Sequence, residues 1–365
     1  MSSSRWAVLL ILVLVLAPAA SRAQTPYARA SLETTIGVDL FRGENVSDRP
    51  QIIVDIIGTV QLSEQWQVQV RPWFRLPRPS PPTAPPPPWD VELYQANVRY
   101  ERTGAISTRV DAGYIASPLG LGLFDANPKA NPTIAGHTSY FIPMLPFDAG
   151  GTRETAIAST YPLGAVVTLS TERWDARAAI VNSAPVRSYI LGAETNPNQT
   201  PVFEAGAGIT PTTGLRLGVS FAHGAYLTPD ELSPAARPGD RNVTLVGFEG
   251  DYAFRYTKLT GEFIRDEFTT PTQPAVAYTW FIQGTQTLTP RWYIAGRHEG
   301  TSSPVLGSGA FFGSQPRMLA AELTAGFRAT RDVLLKGSYY ARQSYGRPDW
   351  DQQGGIQIVW HRRWW

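Results

Sequence analysis

The sequence predicts an all-β protein: a closed, antiparallel, up-and-down transmembrane β-barrel of about 16 strands. Three observations support this prediction. Apolar and polar residues alternate with a period of two along most of the chain. Very short connectors alternate with longer ones rich in Pro, Gly and Asp, which is typical of strands that run up and down. The one long apolar run lies at the N-terminus, so the rest of the chain offers no segment for a membrane-spanning helix.

Residues 1–23 have the organisation of a secretory signal peptide. Arg5 supplies a positive charge, residues 6–16 form an unbroken apolar run, and residues 21–23 end in the small-x-small pattern that signal peptidase accepts. A membrane anchor is the alternative, but this run is well short of the ~20 residues that a spanning helix needs. We therefore expect cleavage after Ala23 and a single barrel domain over residues 24–365.

The composition excludes several kinds of site. Because the chain has no cysteine, it holds neither a disulfide framework nor a thiolate metal site. Loss of Arg5 and Arg22 with the signal peptide lowers the 32 basic residues to 30, which equals the 30 acidic ones. A neutral mature chain gives no argument for a nucleic-acid partner. The many aromatic residues, 15 Tyr, 15 Phe and 11 Trp, fit a barrel with one apolar and one wet face, although a soluble sandwich has a similar composition.

The alternation is clearest in three segments. Residues 215–221 are apolar at every second position, with polar or small residues between them. The same pattern runs through residues 67–75 and 319–328. One face of each strand is therefore apolar and the other polar.

Connector lengths give the strand count. Tight connectors fall near residues 63–65, 102–105, 171–173, 211–214, 257–258, 289–291 and 330–332. Longer stretches cover residues 43–50, 77–89, 118–153, 183–201, 228–241, 269–274, 300–317 and 345–353. With both termini on the side of the seven tight turns, the chain forms 16 strands of roughly 10 to 15 residues, an even number as this kind of barrel has. Residues 161–164 allow one more turn, so 14 and 18 strands stay open.

The polar face of the predicted barrel is strongly charged. Because burying unpaired charges is prohibitive, this face must meet water, either inside a channel or on the outside of a soluble sheet. We predict that the following residues line the interior: Arg71, Arg75, Gln95, Asn97, Arg99, Arg109, Asp111, Arg216, Glu249, Asp251, Arg255, Glu262, Arg297, Glu299, Glu322, Arg328, Lys336 and Arg342.

Two further features favour the membrane barrel. Sixteen meandering strands exceed what an open sheet usually holds, and closure removes edge strands. Aromatic residues gather near the predicted strand ends, where amphipathic rings suit the membrane interfaces. They are Tyr94, Tyr100, Tyr252, Phe254, Tyr256, Trp280, Trp292 and Tyr339.

The C-terminal segment resembles the last strand of Gram-negative outer-membrane proteins. That strand ends in an aromatic residue after alternating apolar ones, and the barrel-assembly machinery binds it. The register here ends one residue early, and Arg362 stands where the pattern has an apolar residue. The alternating positions are Ile356, Ile358, Trp360 and Trp364, before the final Trp365.

The signal peptide, strands, turn asymmetry and aromatic end together resemble the general porins of Gram-negative bacteria over the whole chain. The resemblance implies an outer-membrane location, contact with outer-membrane lipid and a homotrimer. It also implies a water-filled channel for passive diffusion of small hydrophilic solutes or ions, without a cofactor. Residues 110–121 and 178–183 are similar to short segments of phosphate-selective-type porins.

The longest predicted loop, residues 118–153, follows the fifth strand. General porins fold the loop at this place inward, so the resemblance makes it the candidate constriction. Its charges would then face wall arginines such as Arg71, Arg99 and Arg109 and create a field that filters solutes. The alternative is that they are solvated at the mouth. These loop residues are Asp125, Lys129, His137 and Asp148.

Enzyme motifs find little support in the sequence. The four histidines, at 137, 223, 298 and 361, have no metal-ligand spacing, and no Gly-x-Ser-x-Gly elbow occurs. His298 lies on the apolar register, where some outer-membrane hydrolases carry a catalytic histidine, but a histidine at the interface is the simpler interpretation. We therefore predict no enzyme. Two other functions stay open: a plugged barrel acting as a surface receptor or adhesin, and a soluble secreted β-protein.

Overall fold

The chain forms one closed barrel of 16 antiparallel strands, in which neighbours in sequence pair and β16 closes against β1. The computed structural model describes residues 29–43, 49–78, 85, 87–122, 126–145, 154–157, 162–187, 201–232, 236–304 and 316–364. The predicted signal peptide lies outside these residues. No helix in the described part of the chain is long and apolar enough to cross a membrane.

The strand bounds confirm the predicted count of 16. They are β1 Arg29–Gly43, β2 Gln51–Gln61, β3 Trp66–Leu76, β4 Asp90–Arg102, β5 Ser107–Tyr114, β6 Leu163–Ser170, β7 Trp174–Val181, β8 Val202–Thr212, β9 Leu215–Ala225, β10 Asn242–Phe254, β11 Thr257–Phe268, β12 Ala275–Thr287, β13 Trp292–Ser302, β14 Arg317–Arg328, β15 Val333–Gln343 and β16 Trp350–Arg363. Between the strands, the described residues include a short helix, α1, at Thr138–Phe141, and 3-10 turns at Pro229–Glu231 and Pro238–Asp240.

The two ends of the barrel differ. The start of β1, the end of β16 and the seven short turns lie at one end of the barrel, which we call the short-turn end. The eight longer connections lie at the other end, the long-loop end. Six short turns overlap the predicted positions, but the seventh was predicted two residues too late. Thr257 and Lys258 belong to β11, where Thr257 pairs with Phe254. Arg255 and Tyr256 form the turn instead. A two-residue hairpin turn needs a residue with positive φ, and Arg255 adopts φ 52°.

Several predicted loop bounds were also wrong. The β13–β14 ladder continues to the pair Ser302–Arg317, and the β15–β16 ladder continues to the pair Gln343–Trp350, so both loops are shorter than predicted. The loop between β5 and β6 is longer, because β5 ends at Tyr114 and β6 begins only at Leu163. Strands β5, β6 and β7 have 8 residues each, fewer than predicted. Leu163 and Gly164 lie in β6, which rules out an extra turn there.

The alternation separates an apolar outer face from a polar inner face. Leu323 and Ile356 are exposed on the outside, at 63% and 60%, whereas Glu322 and Gln357 beside them are 4% exposed on the inside. Five of the predicted interface aromatics are also exposed: Tyr252, Phe254, Tyr256, Trp292 and Tyr339. The outer wall is thus the face that suits lipid.

Tyr94 is a correction to this picture, because its ring lies inside the barrel. The β3–β4 register shifts between Arg71 and Pro72, so that Arg71 pairs with Gln95 and Pro72 with Leu93. Tyr94 is the extra residue of this bulge, and a proline, which has no N–H to donate to the ladder, suits such a place. The Tyr94 ring packs edge-on against Trp73, with 3.9 Å between ring centroids.

Candidate functional site

A long segment of the chain lies inside the barrel. It belongs to the connection between β5 and β6, and we call its described residues 115–122, 126–145 and 154–157 the inner loop. Apolar contacts hold part of it, since Leu119, Tyr140 and Ile157 are buried against wall residues such as Leu245 and Ile264. Polar contacts between backbone groups of the loop and charged side chains of the wall hold the rest.

Lys336 of β15 binds three backbone groups of the inner loop at once. Its ammonium group is buried and donates hydrogen bonds to the backbone carbonyls of Pro128, Asn131 and Thr133, at 2.7, 2.6 and 2.9 Å. An ammonium group has three N–H donors, so these three carbonyls satisfy it. The wall thereby fixes the tip of the inner loop without using a loop side chain.

A buried ion pair holds the next residues of the inner loop. Glu322 accepts hydrogen bonds from the backbone N–H groups of Ile134 and Ala135, at 2.9 and 3.2 Å. Arg297 donates to the carbonyl of Ala135 at 2.7 Å and to Glu322 at 3.2 Å. The carboxylate and the guanidinium therefore bind opposite backbone groups of the same short stretch.

Glutamates also hold α1. Glu299 accepts a hydrogen bond of 2.9 Å from the backbone N–H of Thr138, and Glu262 accepts one of 3.0 Å from the hydroxyl of Tyr140. Burial raises the pKa of Tyr140 well above its usual value of 10.0, and the neighbouring Glu262 carboxylate raises it further. The phenol therefore stays protonated and keeps donating.

Two of the four predicted loop charges, Lys129 and His137, lie among the described residues. Asp125 and Asp148 fall outside the described residues. His137 is fully buried, 3.6 Å from the Glu299 carboxylate and 4.3 Å from the Phe281 ring centroid. Lys129 lies at the short-turn end of the interior, beside Arg328. That the loop charges and the wall arginines together create a field that filters solutes stays a prediction.

The predicted interior residues do project inward, with one correction. Arg255 lies in the β10–β11 turn, and its guanidinium covers the exposed ring of Phe254 at 5.1 Å. The others lie in strands, on the inner face. Five of them hold the inner loop, namely Glu262, Arg297, Glu299, Glu322 and Lys336. That any of them lines a conducting channel stays a prediction.

The wall formed by β2 to β5 carries paired arginines. Arg71 donates two hydrogen bonds to Asp55, at 2.9 and 2.8 Å. Arg99 and Arg109 both donate to Asp111, at 2.7 and 2.6 Å. Each carboxylate is thus bound by a guanidinium from the neighbouring strand.

The same arrangement recurs on β7 to β10. Glu249 accepts hydrogen bonds from Arg177 at 3.0 Å and from Arg216 at 2.7 Å. Arg216 also donates two bonds of 2.8 Å to Asp175. The sequence analysis missed Asp55, Asp175 and Arg177. The alternation could have found Asp55, since it is the one charged residue in an otherwise apolar stretch of β2.

In the ion pairs of Asp55, Asp111 and Glu249, the carboxylate side chain is more buried than the arginine side chains bound to it. The side chains of Asp55, Asp111 and Glu249 are 0%, 5% and 2% exposed. The arginines that cover them keep between 14% and 45%, and we call these five the guanidinium layer: Arg71, Arg99, Arg109, Arg177 and Arg216. In these three cases the guanidinium is thus the group nearer the water, whereas Arg216 and Asp175 are equally exposed, at 22% and 23%.

A cavity of about 420 Å³ opens at the short-turn end of the barrel, between the inner loop and strands β11 to β16. We call it the basic chamber. The inner loop forms one side of it, where the hydroxyl of Tyr293 donates a hydrogen bond of 3.1 Å to the carbonyl of Pro132. Its ionisable lining residues besides Tyr293 are Lys129, Lys258, Arg328, Arg331, Asp332 and His361.

At the long-loop end, Arg187 joins three connections. It donates hydrogen bonds to both oxygens of Glu231, at 3.0 and 2.7 Å, and to Glu154 at 3.3 Å. Burial alone would raise the pKa of Glu231, but the hydrogen bonds from Arg187 and from the backbone N–H of Thr228 outweigh it and lower the pKa below its usual 4.5. The ionised form of Glu231 is therefore the one that stabilises these loops.

We expect these loops to open in acid. Because the folded pKa of Glu231 is lowered, its contribution is complete above the ordinary value of 4.5 and is lost as the pH falls through the lowered value. The protection factors of residues 182–187 and 226–232, each taken relative to the intrinsic exchange rate at the same pH, should therefore fall on acidification, and Glu231→Gln should reproduce this at neutral pH. Asp230→Asn is the matched control, since Asp230 is exposed. Equal protection in Glu231→Gln and the unsubstituted chain would contradict the expectation.

The described residues give no geometry of a catalytic or metal site. No group of three or more His, Asp or Glu among them is placed to hold a metal ion. On the outer wall, Nδ1 of His298 lies 3.0 Å from the carbonyl of Ala320, and its ring packs edge-on against Trp280 at 5.0 Å. These contacts fit a histidine at a membrane interface.

Comparison with known proteins shows the fold. No protein-family model matches the chain, and no curated protein is similar to it in sequence. A loop-deletion mutant of OmpT, an outer membrane protein of Vibrio cholerae, has a TM-score of 0.57 at 10% identity, over 92% of this chain and 100% of that one. OmpF of Salmonella typhi, solved with daunomycin, has a TM-score of 0.56 at 10% identity, over 92% and 98%. The anion-selective porin from Comamonas acidovorans has 0.55 at 9%, over 92% and 100%. The chain therefore has the 16-stranded barrel fold of outer-membrane porins.

Proposed function

We propose that this protein is an outer-membrane porin that lets small hydrophilic solutes or ions diffuse through its interior. The observation that carries the proposal is the guanidinium layer, an inner wall of charged side chains that keep access to water. A closed barrel with a polar, accessible interior and an apolar outer face is the construction of a diffusion channel. The inner loop takes up part of the interior, and we assign it the task of limiting solute size.

Other parts of the proposal rest on the outer face and on the neighbours. The apolar outer wall favours outer-membrane lipid over water as its surroundings, after export and removal of residues 1–23. One of the neighbours is a porin by name, the anion-selective porin from Comamonas acidovorans. Insertion by the barrel-assembly machinery and assembly as a homotrimer belong to the same proposal, as does the absence of an enzymatic role. A phosphate-selective-type porin stays a prediction from the sequence.

A plugged barrel acting as a receptor or adhesin is the second candidate. The observation that favours it is the extent of the buried contacts between the inner loop and the wall, from Lys336 to Glu262. A loop held this firmly would block solutes if it filled the whole cross-section. The two functions differ in one measurable property, the passage of ions.

Single-channel recording tests the proposal directly. Residues 24–365 are refolded in detergent, their folding is checked by heat-modifiable migration on a gel, and the protein is added to a planar lipid bilayer. We expect stepwise openings of uniform size, and none from a heat-denatured sample. A correctly folded, inserted barrel that passes no ions would overturn the porin proposal and favour the plugged barrel.

A further inference from the structure

The cations of the basic chamber are poorly compensated. The guanidinium of Arg328 lies over the ring of Tyr293, 5.2 Å from its centroid, and donates to the carbonyl of Pro290 at 3.4 Å. Neither contact cancels its charge. Within the described part of the chain, no carboxylate lies within 4.0 Å of the charged group of Lys129 or Arg331. Asp332 is the one residue with a carboxylate among the described residues that line the chamber.

Lys258 adds a fourth cation with a weak partner. Its ammonium lies 3.5 Å from Asp251, and 62% of its side chain is exposed. An exposed pair of this kind is screened and contributes little, so most of the lysine charge remains available. Asp251 itself does not line the chamber.

This charge is concentrated in a small space. At about 420 Å³ the chamber has room for a small solute together with several waters, each of which takes ~30 Å³. Guanidinium groups present N–H donors in a planar fork that matches the oxygens of a carboxylate or phosphate. The carbonyl of Pro290 and the ring of Tyr293 hold the Arg328 guanidinium, and the exposed turn between β14 and β15 brings Arg331 to the same chamber.

We propose that the basic chamber binds small oxyanions, of the phosphate or carboxylate class, at the short-turn end of the pore. The proposal rests on the proposed function, because a chamber at this end lies on the route of a diffusing solute. The guanidinium layer presents the same sign of charge on another part of the inner wall, formed by β3, β4, β5, β7 and β9. Anions therefore meet favourable charge at both places, and the pore prefers them to cations.

Calorimetric titration of inorganic phosphate into the refolded chain, residues 24–365 in detergent micelles, tests the binding site. We expect saturable binding that weakens by roughly tenfold for each guanidinium removed in Arg328→Gln and in the double variant Arg328→Gln/Arg331→Gln. Arg173→Gln is the matched control, since Arg173 is an exposed arginine in another short turn and does not line the chamber. Titration with acetate then distinguishes a carboxylate site from a phosphate site.

The outcomes separate this inference from the proposed function. Wild-type phosphate affinity in the double variant, or no saturable heat with the unsubstituted chain, would overturn the chamber even if the barrel conducts. Phosphate binding to a barrel that passes no ions would support the chamber and overturn the pore. Arg331→Gln alone changes an exposed turn residue, so it gives an answer even if the double variant does not fold.

Discussion

Replacing Lys336 by Met should free the tip of the inner loop and raise the single-channel conductance. The substitution keeps the aliphatic stem and removes the three donors that hold the carbonyls of Pro128, Asn131 and Thr133. A buried polar group left without a partner costs about 1–3 kcal/mol, so the docked loop should lose roughly 3 kcal/mol or more relative to the undocked one. Once undocked, the loop regains water at these carbonyls and leaves a wider passage.

Hydrogen exchange measures this release residue by residue. The backbone N–H groups of Ile134 and Ala135 are bonded to Glu322 in the docked loop, so their protection should fall in Lys336→Met. Arg173→Met is the control, because Arg173 is exposed in the turn between β6 and β7 and does not line the basic chamber. Unchanged protection and unchanged conductance in Lys336→Met would mean that the remaining wall contacts are enough to hold the loop.

Removing two arginines of the guanidinium layer should shift the ion selectivity of the pore from anions towards cations. In Arg177→Gln/Arg216→Gln the wall loses two positive charges, and the carboxylates of Glu249 and Asp175 lose the cations that cover them. We expect the reversal potential in a potassium chloride gradient to move from anion preference towards cation preference. Because the variant leaves a buried carboxylate without its partners, it should also destabilise the barrel, by about 3–5 kcal/mol.

A third substitution separates the two effects. Adding Glu249→Gln removes the buried one of the two unpaired carboxylates, so most of the stability should recover and the reversal potential should return part of the way towards that of the unsubstituted pore. Arg173→Gln, in an exposed turn, should alter neither quantity. A reversal potential that stays at the wild-type value in the double variant would show that these arginines do not face the permeating ions.

The sequence carries much of this architecture in its local patterns. Alternation and connector length predict 16 strands and the inward direction of residues such as Arg216 and Glu322, because a strand turns every second side chain to the same face. Where the ladder is irregular, this rule fails. Tyr94 points inward through the bulge opposite Arg71 and Pro72, and the pattern of polar and apolar residues does not mark that bulge.

The contacts of the inner loop could not be predicted in the same way. Lys336 and Glu322 bind backbone groups of residues about 200 positions away, and backbone groups are alike at every position of a sequence. The sequence also could not show that the wall carboxylate of Asp111 is more buried than the arginines bound to it. Arg99 and Asp111 cancel in any count of residues, and only their packing shows that the carboxylate lies beneath the guanidinium.

The way Lys336 holds the inner loop also bears on how the protein can change over generations. Its three acceptors are main-chain carbonyls, which nearly every substitution in the loop preserves. Side chains such as that of Lys129 can therefore mutate, and the solutes that the loop admits can shift, while the loop stays docked. Substitutions are therefore tolerated at loop positions and not at wall positions such as Lys336. Natural selection can change which solutes pass through the pore while the barrel itself stays the same.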